Sequence, residues 1–215
     1  KGNTVLLCPR RLTCDNRTLY HESLDKATIN KVRHMQAKAA DGLVRQGYDV
    51  KFVPFHTVHP DDDREEIRAI RNLMAEKDVD VLPRPESPID SLKLIAGATL
   101  VVGLRLHSIV LASSCGVPFT TIDYDIKMRG FMAHMGLGGL CCSPIEGLHT
   151  LGEVSFHAAE NHMAYSDRIQ RWVRDIRSSI SEEADRAAWV IQGLNGDSGK
   201  PARLLRGTRS LLPAP

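Results

Sequence analysis

The chain has no apolar run near the roughly 18 residues needed to span a bilayer, so it offers no transmembrane helix. No signal-peptide pattern opens it. Neither sign of charge is in excess: 28 Lys and Arg against 26 Asp and Glu give a formal net charge of +2. The basic residues are scattered among acidic ones, which is too little to imply a nucleic-acid surface. The five cysteines, Cys8, Cys14, Cys115, Cys141 and Cys142, contain no CxxC pair, which argues against structural zinc and redox dithiols. After the first strand-like run the chain reads Cys8-Pro9-Arg10-Arg11-Leu12, with no glycine to admit a pyrophosphate. That argues against NAD chemistry. A P-loop lysine motif is also missing, which argues against a nucleoside triphosphatase. Ser113-Ser114 lacks the flanking glycines of a nucleophile elbow. No internal repeat is visible.

What is present is an ordinary globular composition, 42% hydrophobic and 25% charged over 215 residues, enough to bury a sizeable core. Lys1-Gly2-Asn3 leads almost directly into the apolar run Val5 to Cys8, and we read the chain as a piece of a longer protein. Adjacent Cys141 and Cys142 would face opposite sides of a strand. The thiols therefore read as buried or half-buried groups in the cytoplasm. The alternative is one disulfide in a lumen, the Golgi if the source is eukaryotic.

Strand and helix signals alternate. Thr4 to Cys8 is a strand, and Pro9 to about Asp25 a polar loop. Val32, Met35, Ala39 and Leu43 recur at helical spacing until Gly47 stops them. Asp49 to Pro54 is a second strand. Asp61-Asp62-Asp63 opens a helix carrying Ile67, Ile70 and Leu73, the carboxylates complementing its dipole. Val79 to Leu82 is a weak strand. Ser87-Pro88-Ile89-Asp90 starts a helix, with a capping serine, proline at the first helical position and a carboxylate at the third. Then come strand Thr99 to Val102, helix Leu106 to Ser114, strand Phe119 to Asp123, a helix near Lys127 to Met135 and a short strand near Leu140. From His157 to Gln192 an amphipathic register continues through Ile169, Trp172, Ile176 and Ile180.

This alternation implies an α/β fold, a Rossmann-like doubly wound parallel sheet with additional C-terminal helices. The expected organisation is a sheet domain over 1–155, bracing helices over 156–192 and a loosely ordered tail over 193–215. In the usual strand order 3-2-1-4-5-6, strands one and four lie side by side. Their connections leave on opposite faces and open a crevice at the carboxyl ends. The order predicts that Arg10 and Arg11 after strand one, and Gly103, Arg105, His107 and Ser108 after strand four, meet there. Tyr124 and Lys127 follow strand five. An unpaired buried charge costs several kcal/mol, so cations beside a buried sheet need a task. Arg105 offers a planar fork suited to a carboxylate or phosphate. The helix starting near Leu106 presents unpaired N–H groups. His107 can trade protons near neutral pH, and Lys127 adds a compact positive charge. Together they suit a small, multiply charged anion. The alternative is a strand-end ion-pair network in which Arg105 and Lys127 meet Asp123 and Asp125.

Arg105-Leu106-His107 after an apolar strand, then Gly116-Val117-Pro118, then Tyr124-Asp125-Ile126-Lys127, preceded by Glu86-Ser87-Pro88, resemble the polysaccharide pyruvyl transferase family. The resemblance implies the second, donor-binding half of a two-domain GT-B arrangement, with an N-terminal domain of the same protein completing it. It implies a transferase moving the three-carbon unit of phosphoenolpyruvate onto two hydroxyls of a glycan acceptor. In that reading His107 carries protons, Arg105 clamps the donor, Lys127 neutralises departing phosphate, and Arg10 and Arg11 are supporting cations. No cofactor or metal is implied. Two other classes compete. A GT-B glycosyltransferase or sugar-nucleotide epimerase would want an acid for the ribose, for which Glu146 is the weak candidate. A noncatalytic module would use the 157–192 helices as a partner surface.

Overall fold

A computed structural model describes residues 2–14, 24–144 and 150–194. Six strands form one sheet: β1 Thr4–Cys8, β2 Asp49–Phe52, β3 Asp80–Val81, β4 Leu100–Gly103, β5 Phe119–Ile122 and β6 Cys141–Cys142. Every pairing is parallel and the order is β3-β2-β1-β4-β5-β6, the order the alternation predicts. Cys8 lies opposite Gly103 in the register, so the carboxyl ends of β1 and β4 are level. The central strands β4 and β5 are buried at every position, as in a parallel sheet covered on both faces. Such strands read as continuous apolar runs.

The helices follow from capping and periodicity. α1, Lys26–Arg45, is capped by Asp25, and Gly47 beyond it takes φ 84°, a left-handed value that favours glycine. α2, Asp63–Leu73, starts at Asp62, whose carboxylate accepts from Arg64 N–H. α3, Pro88–Ala96, is capped by Ser87 as its sequence predicts. α4, Leu106–Ser114, and α5, Ile126–His134, follow β4 and β5. A 3-10 turn, Gly138–Leu140, leads directly into β6 at Cys141–Cys142, the short strand expected near Leu140. α6, Leu151–Glu160, carries a complete capping box between Thr150 and Glu153. α1, α2 and α6 pack together on one face, and α3 and α4 pack on the other.

The chain forms two compact units, 1–173 and 174–215. The boundary expected at 155/156 falls inside α6. That helix belongs to the sheet unit because it packs on α1 and β5, with Thr120 and Ser155 hydroxyls hydrogen-bonded at 2.8 Å. The start of α7, His162–Leu194, joins the same unit. Ser166 donates to Gly116 O at 2.6 Å, Trp172 donates to His134 O at 3.1 Å, and Ile169 is buried. In the second unit Arg186 pairs with Glu182 and Glu183 on its own helix, and Ile180 and Trp189 are exposed. The expected tail lies outside the described residues from 195 onward. No described helix is long and apolar enough to cross a membrane.

Candidate functional site

β1 and β4 end side by side, and their connections diverge at that edge. Gly103, last in β4, runs so close under α4 that a Cβ would lie 2.3 Å from Ser108 Oγ and 2.8 Å from Ile109 Cγ2. The turn above it is pinned from several directions. Thr121 donates to Gly103 O at 2.6 Å, Leu104 N–H to Cys8 O at 2.9 Å, and Tyr124 to Leu104 O at 2.6 Å. Ser108 is fully buried, and its hydroxyl donates to Arg105 O at 2.6 Å. Gly103 and Ser108 thus shape the turn and give no free polar group to the crevice.

That turn aims the N-terminus of α4 outward. Its N-cap residue, Arg105, makes no side-chain cap hydrogen bond. The first backbone N–H groups and the positive end of the helix dipole are therefore available to an anion. His107 lies in this first turn and is exposed. Across the crevice Arg10 donates to the Tyr124 hydroxyl at 3.0 Å and lies 5.6 Å from the centre of its ring. Arg10 Nε is buried and has no hydrogen-bond partner. Burial pushes the Tyr124 phenol up, against the opposing pull of Arg10 and, more weakly, Arg105. Lys127, in the first turn of α5, is exposed and makes no ion pair among the described residues. Its backbone N–H is the one that the Asp125 cap accepts, at 2.8 Å.

Arg105 sits differently from the expectation. Its side chain is only 14% exposed and is held by two carboxylates of the acidic turn before α2. Nε and Nη2 donate to Asp63 at 3.1 and 2.6 Å; Nη1 donates to Asp61 Oδ2 at 2.9 Å and Nη2 to the Asp61 carbonyl at 3.1 Å. Burial works against its charge, and these bonds more than offset that, raising its ionisation. The fork expected to clamp a ligand is occupied by the protein. Asp63 is completely buried and also accepts from Phe55 and His56 N–H at 3.0 and 2.8 Å. Arg105 therefore ties the β2–α2 loop to the start of α4. Reading the Asp triplet as helix-start charge holds for Asp62 at the cap and Asp63 in the first turn, and Asp61 and Asp63 also serve the arginine. Arg11 is likewise turned away, bound to Glu65 of α2 and, at 2.9 Å, to Pro60 O.

The carboxylates expected to neutralise Arg105 and Lys127 do neither. Asp123 pairs with Arg129 through one oxygen, and its other oxygen is buried without a partner. Burial raises its carboxyl above the ordinary range, and the bonds to Arg129 only partly counter this. Asp125 caps α5. The structure thus brings Arg10, Tyr124, Gly103, Arg105 and Ser108 together, with Arg105 consumed by Asp61 and Asp63. Arg11 is drawn off to α2.

Sequence reasoning missed two charged groups. His107 lines a cavity of about 310 Å³ together with Arg84 and Glu86, from the segment between β3 and α3. Both are exposed, and neither has an ion-pair partner among the described residues. The available signal was topological. A strand in this sheet delivers its following loop to the same carboxyl edge, so Arg84-Pro85-Glu86 had to arrive there. The His56 ring bonds the Asp61 carbonyl at 2.8 Å. Among the described residues no group of three or more His, Cys, Asp or Glu is placed to hold a metal. Glu146 lies outside the described residues.

Comparison with known proteins places this edge in context. The O-GlcNAc transferase of Thermobaculum terrenum superposes with a TM-score of 0.54 at 16% identity, over 87% of this chain and 36% of that one. That likeness concerns the fold alone. The amylovoran biosynthesis protein AmsJ of Erwinia amylovora is 28% identical over 104 residues. The match spans 46% of this chain and 25% of AmsJ, so the chain corresponds to a minor part of that relative's length. The profile of the polysaccharide pyruvyl transferases matches residues 16–126, just over half the chain, through the pinned turn, the start of α4 and Tyr124. On that match, and on the Arg-Leu-His turn within it, the chain belongs to the polysaccharide pyruvyl transferase family.

Proposed function

We propose that this chain is the donor-binding part of an enzyme transferring pyruvyl from phosphoenolpyruvate to two hydroxyls of a sugar in a polysaccharide or its precursor. The observation that carries this reading, beside family membership, is the uncapped start of α4 with His107 in its first turn and the unpaired Lys127 in the first turn of the next helix. A small trianion suits backbone N–H donors at a helix start together with fixed cations, because both act most strongly on concentrated negative charge. Arg10 and Tyr124 flank that position. Arg105 acts through position: with Asp61 and Asp63 it sets where α4 begins, and the donor is left to the groups that remain free.

The chemistry balances as follows. A proton adds to the methylene carbon of the donor, leaving a positive centre at the carbon that bears phosphate. One acceptor hydroxyl attacks that carbon and gives up its proton. The bond to phosphate then breaks and a second hydroxyl closes the ketal, its proton leaving with phosphate. His107 is the group suited to carry protons between hydroxyl and carbon. Lys127 stabilises phosphate as it departs. An N-terminal domain would complete the two-domain arrangement and the closed site.

The expected compartment is the cytoplasm, which the five free cysteines support. Burial pushes Cys141 up to about 12 and Cys142 up to about 11, so neither is poised to react as a thiolate. The test of function is direct. Phosphoenolpyruvate should raise the melting temperature of the full-length protein while UDP and UDP-sugars leave it unchanged. His107→Ala should abolish ketal formation with a native circular-dichroism spectrum, since the side chain is exposed. Stabilisation by UDP alone would favour the sugar-nucleotide reading instead.

A further inference from the structure

We infer that the cavity beside His107 is the subsite for the acceptor sugar, built by this chain. The role rests on the pyruvyl-transfer reading, whereas carbohydrate binding there is measurable by itself. The cavity holds about 310 Å³, near the lower end of the roughly 300–1,000 Å³ usual for ligand pockets. Its walls include Phe55, Pro85 and Leu111, and Arg84, Glu86 and His107 supply polar side chains.

Charge decides between the two substrates. Arg84 and Glu86 cancel, so the cavity carries no fixed net charge to hold a trianion, and Glu86 would repel one. A neutral ligand with hydroxyls and a C–H face fits what is present. The walls take the apolar face, the Glu86 carboxylate accepts from hydroxyls, and the Arg84 guanidinium donates to ring or hydroxyl oxygens. Both side chains are exposed and unpaired among the described residues, so binding need break no existing ion pair. The contrast with the other charged groups is direct. Arg105 and Arg11 are held by carboxylates of the fold, and the Lys127 ammonium makes no ion pair among the described residues. That ammonium, at the start of α5, is therefore left without an ion pair among the described residues, whereas opposite charges line the cavity.

His107 belongs to both places. It sits in the first turn of α4, where the donor is proposed to bind, and it lines the cavity. A pyranose in the cavity brings its hydroxyls to the imidazole, which takes the proton as the oxygen attacks the donor carbon. Glu86 and Arg84 are binding residues in this scheme.

The experiment uses saturation-transfer NMR on the full-length protein with methyl glycosides of galactose, glucose, mannose and N-acetylmannosamine. Binding of phosphoenolpyruvate is measured in parallel by calorimetry. At least one glycoside should bind the wild type. Glu86→Gln and Arg84→Ala should each weaken it fivefold or more, with phosphoenolpyruvate affinity changed less than twofold. Lys127→Ala should show the reverse pattern. Glycoside binding indifferent to both cavity variants, or no glycoside binding at all, overturns the sugar site, and pyruvyl transfer stands if the donor still binds. A wild type that binds a glycoside through Glu86 but ignores phosphoenolpyruvate overturns the donor reading and leaves the sugar site intact.

Discussion

Arg10 and Arg11 are neighbours in sequence and end in opposite situations. Arg11 turns toward α2, where Glu65 and the Pro60 carbonyl take it. Arg10 turns toward β5, where its partners are a phenol hydroxyl and an aromatic face, and its Nε is left without an acceptor. The same division separates Arg105, held by Asp61 and Asp63 on the β2 side, from Lys127, unpaired on the β5 side. Charge alone therefore does not mark a cation free to meet a ligand in this fold. What decides it is whether the neighbouring element supplies a carboxylate. On the β2 side the start of α2 does so three times over, with Asp61 just before the helix and Asp63 and Glu65 in its first turn. On the β5 side the acids are already engaged, Asp123 with Arg129 and Asp125 with the start of α5.

The largest expected effect that would break this division is at Asp63. Asp63→Ala strands a mostly buried guanidinium and frees the N–H groups of Phe55 and His56. Leaving one member of a buried pair alone costs about 3–5 kcal/mol, which urea unfolding would register. A variant of unchanged stability would mean that Arg105 is free for ligand after all. A smaller effect is expected at Asp62. Its bonds to Arg64 hold its carboxyl down at about 2, against 3.8 for the free group. A carboxyl lowered by folding stabilises above its unfolded value and loses that contribution as pH falls. Melting temperature should therefore decline between pH 4 and about 2, and Asp62→Asn should flatten that limb. A limb equally steep in the variant would place the acid sensitivity elsewhere. The smallest effect is at Arg11. Its pair with Glu65 is 31% and 41% exposed, so Arg11→Ala should cost about 0–1 kcal/mol and leave turnover near wild type. A large loss of turnover would put Arg11 at the donor.

These contrasts show what could be read from the chain alone and what could not. The strand order was legible because each element carries a local signature: apolar runs for β1, β4 and β5, a capping serine and proline for α3, and a spacing of four for α1. The bounds of α4 matched for the same reason. The Arg105 pairs with Asp61 and Asp63 were not legible. They join positions 42 and 44 apart, and nothing local to either segment encodes the meeting. Arg84 drew no notice and Glu86 entered only as part of the family resemblance, without a site role, although the carboxyl edge of a parallel sheet collects every loop that follows a strand. The last strand follows Leu140 as expected, after a 3-10 turn at Gly138-Gly139-Leu140 that nothing in the pattern announced. The boundary expected at 155/156 lies inside α6, because an amphipathic pattern does not say what its apolar face covers. Here that face covers α1 and the sheet.

The central claim is that positive charge left unpaired at the start of α5, beside the bare start of α4, binds a small trianion. Calorimetric titration of phosphoenolpyruvate into the full-length wild type and Lys127→Ala tests it most directly. The account predicts binding by the wild type, weakened roughly 10- to 150-fold in the variant, as a bond to a charged group of about 1.5–3 kcal/mol implies, with the melting temperature of the free protein unmoved. Equal affinity in the two proteins, or no donor binding to either, would contradict it.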